Sequence, residues 1–162
     1  KYPYAVTVFI GPCIAKKVEA REHRETINYV LPFAEIMCML EGKDIKFADM
    51  SGDTAYERDA SKLGLSFPLT AGVSAAVQDT VAAMGGEVHN AQYCSGLDKC
   101  RDTVKAAAAG KLDCSYIEGM ACSNGCIDGP AAVGDFHITK VALTKYAAAA
   151  PNKQAAEDKH TK

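Results

Sequence analysis

The sequence predicts an α/β fold, a layered lobe whose mostly parallel sheet is flanked by helices. Three observations predict it. Short runs of β-branched and aromatic residues alternate with longer segments whose apolar residues recur at helical spacing. Glycine, proline and small polar residues punctuate nearly every junction between them. The order strand, helix, strand repeats along the chain, and strands joined through helices pair in parallel. No internal repeat or linker divides the sequence, so residues 1–150 read as one lobe and residues 151–162 as a flexible polar tail.

The first strand is Tyr4 to Ile10, ended by Gly11-Pro12 and delivering Cys13 to a sheet edge. Ala15 to Arg24 is charged and predicts a helix that exposes most of its face. Tyr29 to Leu31 predicts a short strand. Pro32 suits a first helical turn, and Phe33, Ile36, Met37 and Leu40 follow at helical spacing up to Gly42. Ser51 to Leu65 holds turn formers and charges and gives no clear element. Thr70 is placed to cap the next helix, whose stripe is Val73, Ala76, Val77, Thr80, Val81 and Met84, closed by Gly85-Gly86. Glu87 to Tyr93 predicts a strand, with Ser95-Gly96 as the turn after it. Leu97, Cys100, Val104, Ala107 and Ala108 mark a helix stopping at Gly110, and both stripes are expected in the core. Leu112 to Ile117 predicts the last strand and His137 to Ala149 the last helix.

Bulk properties narrow the function. A chain of 162 residues can bury roughly 70% of the surface its unfolded form exposes, so it does not need disulfides to fold. The net charge of −2 gives no electrostatic case for a nucleic acid or an anionic membrane as partner. No apolar run reaches the ~20 residues that span a bilayer, and Lys1 to Ile10 lacks a cleavage pattern. Seven cysteines with no export signal fit a reducing cytoplasm in which some thiols bind metal.

The cysteines that point to chemistry sit in two motifs. The first is Gly11-Pro12-Cys13-Ile14-Ala15-Lys16-Lys17-Val18-Glu19. The second is Glu118-Gly119-Met120-Ala121-Cys122-Ser123-Asn124-Gly125-Cys126-Ile127-Asp128-Gly129-Pro130. A [4Fe–4S] cubane takes four ligands, normally thiolates, from loops that wrap it. Cys122 and Cys126 lie four apart, so one helix-like turn would aim both sulfurs the same way, and Gly125 lets backbone approach closely. Cys13 reaches the same crevice if the strands of the two motifs are neighbours. That gives three candidate ligands and no convincing fourth. Two unrelated groups of buried thiols fit the spacing equally, and zinc is a further alternative. Lys16, three residues after Cys13, is placed to set an ammonium beside an anionic ligand, while Lys17 reads as a solvated charge.

Taken together, Pro12-Cys13-x-x-Lys16-Lys17-x-Glu19 and Glu118-x-Met120-Ala121-Cys122-x-x-Gly125-Cys126-x-x-Gly129 resemble the second and third signature motifs of [FeFe]-hydrogenases, the iron-only hydrogenases. Phe67-Pro68-Leu69-Thr70-Ala71-Gly72-Val73 resembles the glycine-containing opening of a helix between them, and the likeness covers most of Tyr4 to Pro130. The resemblance implies that Cys13 and Cys122 bind the [4Fe–4S] cubane of the H-cluster. It implies that Cys126 bridges the cubane to the diiron subcluster. Lys16 would hydrogen-bond a cyanide of that subcluster, and Met120 would pack against it. The reaction implied is reversible reduction of protons to dihydrogen with a ferredoxin or similar electron carrier, after loading by hydrogenase maturation factors.

The departures matter as well. The family's first motif, Thr-Ser-Cys-Cys-Pro, is absent, and with it the fourth cubane ligand and a proton-relaying thiol. Gly11 stands where many catalytic members have methionine, and Asp128-Gly129-Pro130 replaces a glycine-rich run. The chain therefore reads as the C-terminal half of a catalytic domain, inactive alone, whose N-terminal half lies on the same protein or another chain. The alternative is a hydrogenase-like assembly or hydrogen-sensing protein without turnover. Outside these motifs, Cys38 reads as a buried structural thiol and Cys114 as a core strand residue. Cys94 and Cys100 lack metal-like spacing, and His23, His89, His137 and His160 are not paired with an obvious carboxylate. Glu19 and Glu118 fit a structural hydrogen bond at least as well as proton transfer.

Overall fold

The computed structural model describes residues 4–50 and 60–154. The chain divides into two compact units, Lys1–Ala55 with Asp128–Gly134, and Tyr56–Ile127 with Asp135–Lys162. Each contains a strand–helix–strand unit whose two strands pair in parallel. The α/β class and parallel pairing are thus as predicted. Among the described residues the strands form two separate two-stranded ladders.

In the first unit, β1 (Val8–Gly11), α1 (Lys16–Glu22) and β2 (Tyr29–Pro32) are followed by α2 (Phe33–Glu41). Val8 lies opposite Tyr29 and Gly11 opposite Pro32. The ladder is shorter than Tyr4 to Ile10 because it starts from a lock at Thr7. The Thr7 N–H donates to Asn28 Oδ1 at 2.9 Å, and the Asn28 and Tyr29 N–H groups both donate to Thr7 O at 3.1 Å. Pro32 closes β2 and caps α2 from outside its first turn, with extended ψ of 153°. Proline has no N–H to continue a ladder, so the strand ends where the helix begins. No residue of α2 is buried, and Cys38 is exposed, contrary to the buried thiol expected. Its apolar stripe is only partly covered, with Ile36 and Leu40 half-buried and Phe33 and Met37 exposed.

In the second unit, α3 (Lys62–Leu65) and α4 (Gly72–Ala83) precede β3 (Gln92–Ser95), α5 (Leu97–Ala108), β4 (Ile117–Met120) and α6 (Phe136–Ala148). Gln92 pairs with Ile117 and Ser95 with Met120. Both strands begin about five residues later than predicted, because the preceding segments are tied into turns. Asn90 takes a left-handed φ of 44°, and the Ser115 N–H and hydroxyl both donate to His89 O, at 3.0 and 2.9 Å. The same turn brings His89 Nε2 to 3.0 Å from Asp113 Oδ2, a pairing invisible in sequence. Cys114 lies in the approach to β4, half-buried, and is not a strand residue.

Small side chains dominate what is buried here. Ser61 and Ser74 are fully enclosed, with Ala76, Ala147 and Ala150 beside Met120 and Ile127 in the buried set. Ser61 caps α3 by accepting from the Gly64 N–H at 3.1 Å. The N–H of Lys62 donates to Asn152 O at 2.8 Å. The stripes expected in the core are only partly inside, since Met84 is 82% exposed, Leu97 72% and Val104 57%. Asp135 starts α6 two residues before His137, accepting from the His137 and Ile138 N–H groups at 2.9 and 3.1 Å. The least defined predicted stretch, Ser51 to Leu65, lies partly outside the described residues, as do His160 and most of the 151–162 tail.

Candidate metal centre

Cys13 stands on the loop between β1 and α1, half-buried, with Pro12 fixing the turn out of the strand. Lys16 is the first residue of α1. Its ammonium lies 2.5 Å from Glu19 Oε2 and 5.8 Å from the centre of the Phe9 ring. Glu19 therefore steers the lysine in this state, a structural role of the kind expected for it. Lys17 is not simply solvated, because it pairs with Glu35 on α2.

The second motif begins in β4 and leaves it as a loop. Alternation along the strand buries Glu118 and Met120 on one face. The loop is a tight turn and not the helix-like turn expected, because the Gly125 N–H donates to Cys122 O at 3.2 Å. Gly125 has φ 86°, and a Cβ there would meet Pro68 O at 2.5 Å, so only glycine fits. Leu69 bridges to Gly125, and the Ile127 N–H donates to Pro68 O at 3.4 Å. The segment Pro68–Leu69 thus fastens the loop. Cys122 and Cys126 sit on either side of Gly125, both half-buried, and Cys126 opens a 3-10 turn, Cys126–Asp128.

Glu118 holds this arrangement to α4. Its Oε1 accepts from the Ala71 N–H at 2.9 Å and its Oε2 from the Ser74 N–H at 2.6 Å, with the side chain 5% exposed. A buried carboxylate at a helix N-terminus satisfies two otherwise unpaired donors and meets the positive end of the helix dipole. This replaces the cap expected from Thr70, whose hydroxyl lies 3.0 Å from Ser95 Oγ. Ala71 instead takes the cap position with φ 66°. Gly72 is required next to it, since a Cβ there would lie 2.0 Å from Ser66 O.

The expected ligands therefore divide between the two units, Cys13 and Lys16 in one, Met120, Cys122 and Cys126 in the other. Within neither unit, among the described residues, do three His, Cys, Asp or Glu side chains gather into a metal site. The sequence carries no local mark of the partners of Glu118, which lie 44 and 47 residues away. It also gave no contact to Cys94 and Cys100, whose sulfurs lie 3.5 Å apart. The presence of thiols in a C-x5-C spacing was the only available signal.

Residues 2–130 match the family model for the iron-only hydrogenase large subunit, C-terminal domain. The chain belongs to this family. A solved [FeFe]-hydrogenase chain shares its fold with a TM-score of 0.60 and 14% sequence identity over 95% of the present chain. That structure comes from work on oxygen inactivation through modification and degradation of the 2Fe subcluster of the H cluster. The present chain spans 55% of that chain's length. No curated protein matches the sequence.

The iron-only hydrogenase motifs suit a thiolate-bound iron–sulfur group on three structural grounds. Their thiols are half-buried and not sealed in a core, and Cys13 and Cys122 follow closely on the ends of β1 and β4. Gly125 packs closely on Pro68 O and so holds the turn between Cys122 and Cys126. The Cys122–Cys126 loop is anchored at both ends by Glu118 and Pro68, which restricts where the two thiols can sit. No helix among the described residues is long and apolar enough to cross a membrane.

Proposed function

We propose that this chain is the C-terminal half of the H-cluster domain of an iron-only hydrogenase. The reaction would be reversible reduction of protons to dihydrogen, with electrons from a ferredoxin or similar carrier. The observation that carries the reading is the pairing of both cysteine motifs with strand exits in a chain whose family match spans them. The N-terminal half, on the same protein or another chain, would complete the ligand set.

In this reading Cys13 and Cys122 hold a [4Fe–4S] cubane and Cys126 bridges it to a diiron subcluster. When bound, that assembly supplies the electron storage and hydrogen chemistry. The chain's residues do the positioning. Lys16 offers an ammonium donor to an anionic ligand, for which it must exchange or share its Glu19 partner. Met120 contributes an apolar wall from β4 that keeps water away. Glu118 holds the strand that delivers Met120 and Cys122, so its charge is committed to α4 and not to proton transfer.

The test is hydrogen evolution from a reduced dye by the complete protein after maturation. Cys126→Ala brings activity to background, and substantial turnover in that variant refutes the bridging role. For Lys16→Ala a loss of about 10–100-fold is expected, the scale for removing a partner that orients a metal ligand. Normal turnover there rules out the lysine contact.

A further inference from the structure

Two thiols outside the proposed metal centre are arranged to react with one another. Cys94 closes in on α5 from the third position of β3, and Cys100 sits in the first turns of that helix. Their sulfurs are 3.5 Å apart, and only five residues, Ser95 to Lys99, separate them in the chain. Cys94 Sγ also lies 3.4 Å from Glu118 O, and Cys100 Sγ lies 3.3 Å from Met120 O and 3.6 Å from Cys94 O. A Cβ at Gly119 would stand 3.4 Å from Cys100 Sγ and 3.9 Å from Cys94 Sγ. Both thiols therefore rest on the backbone of β4 around Gly119, just upstream of the Cys122 loop. Cys94 is buried, whereas Cys100 is reachable from solvent.

We propose that Cys94 and Cys100 are a thiol–disulfide exchange site whose co-substrate is a small-molecule disulfide of the glutathione type. Cys100, the accessible partner, loses its proton to solvent and attacks one sulfur of the small disulfide. A Cys100–S–S–R bond forms, the R–S–S–R bond breaks, and one thiolate leaves. Cys94 then gives up its proton and attacks the Cys100 sulfur, expelling the second thiolate. The two protons end on the two released thiols, so two cysteines are oxidised and one small disulfide is reduced. Closure needs the sulfurs to move from 3.5 Å to the ~2.0 Å bond length. With the partner already in contact, the second step is intramolecular and outcompetes a second external disulfide. Oxidation removes both S–H groups from the β4 carbonyls and ties the end of β3 to the start of α5.

Burial first, then the neighbouring Cys94 thiol, pushes Cys100 above the ordinary cysteine range, so little thiolate is present at neutral pH. The experiment treats the anaerobically purified, reduced chain with excess oxidised glutathione and maps its tryptic peptides by mass spectrometry. Because Lys99 lies between the cysteines, cleavage separates them unless a disulfide joins the fragments. The expected product is the joined pair, short of two hydrogens, free of glutathione and reversed by dithiothreitol. In Cys94→Ser, Cys100 should instead retain one glutathione. Glutathione left on Cys100 of the unaltered chain overturns the proposal. So does an unreacted Cys94 and Cys100 in a sample whose exposed Cys38 is fully modified.

Discussion

Glu118 shows how one side chain can organise the Cys122 loop from the strand that precedes it. It is a carboxylate, and two charge-assisted bonds to the Ala71 and Ser74 N–H groups outcompete the single bond that a Thr70 hydroxyl could make. Its removal leaves both donors buried and unpaired, so Glu118→Ala should cost about 2 kcal/mol in chemical denaturation. Hydrogen exchange in that variant should quicken at Ala71 to Ser74 and through the Cys122 loop. Unchanged exchange in the loop would separate the cap from loop positioning. The residue was visible in the sequence as part of a motif, but its partners were not, because nothing local marks a cap supplied from 44 residues away. Cys100 gives a second residue-scale expectation. Its folded state favours the protonated thiol, so the unfolded chain releases that proton first as pH rises. The contribution to stability is complete below the unfolded value of ~8.5 and is lost as pH climbs towards the raised folded value. Melting temperature should therefore fall more steeply above that pH in the unaltered chain than in Cys100→Ser.

At the scale of elements, helices were legible and strand registers were not. α1, α2, α4 and α5 lie close to their predicted ranges because apolar spacing and glycine stops act locally. β3 and β4 start late because long-range locks at His89 and Ser115 decide where pairing can begin. With four residues in each strand, a shift of that size moves the whole element. The consequence for the site is direct, since β4 contains Glu118 and Met120 only in the observed register. The turn after β4 depends on Gly125. Gly125→Ala should cost about 1–2 kcal/mol from the left-handed backbone alone. The contact with Pro68 O adds to that, so the loop should lose its hold on Leu69. Proteolysis or hydrogen exchange in the 122–127 segment checks this, with faster exchange expected there than in the unaltered chain.

For the whole molecule, the cysteine motifs were readable because they concentrate unusual residue types in fixed spacing, whereas the thiol pair Cys94–Cys100 had no such signal. Cys13 falls in one compact unit, and Cys122 and Cys126 fall in the other. Apolar side chains left outside, such as Ile138 at 72% and Leu97 at 72%, show how little of the helical stripe each unit covers by itself.

The most direct test is anaerobic iron and sulfide loading of the complete protein, followed by visible absorption and metal analysis. The expected result is a brown protein whose thiolate-to-iron bands and bound iron fall sharply in each of Cys13→Ala, Cys122→Ala and Cys126→Ala. A colourless protein, or colour and iron content indifferent to all three replacements, would contradict it.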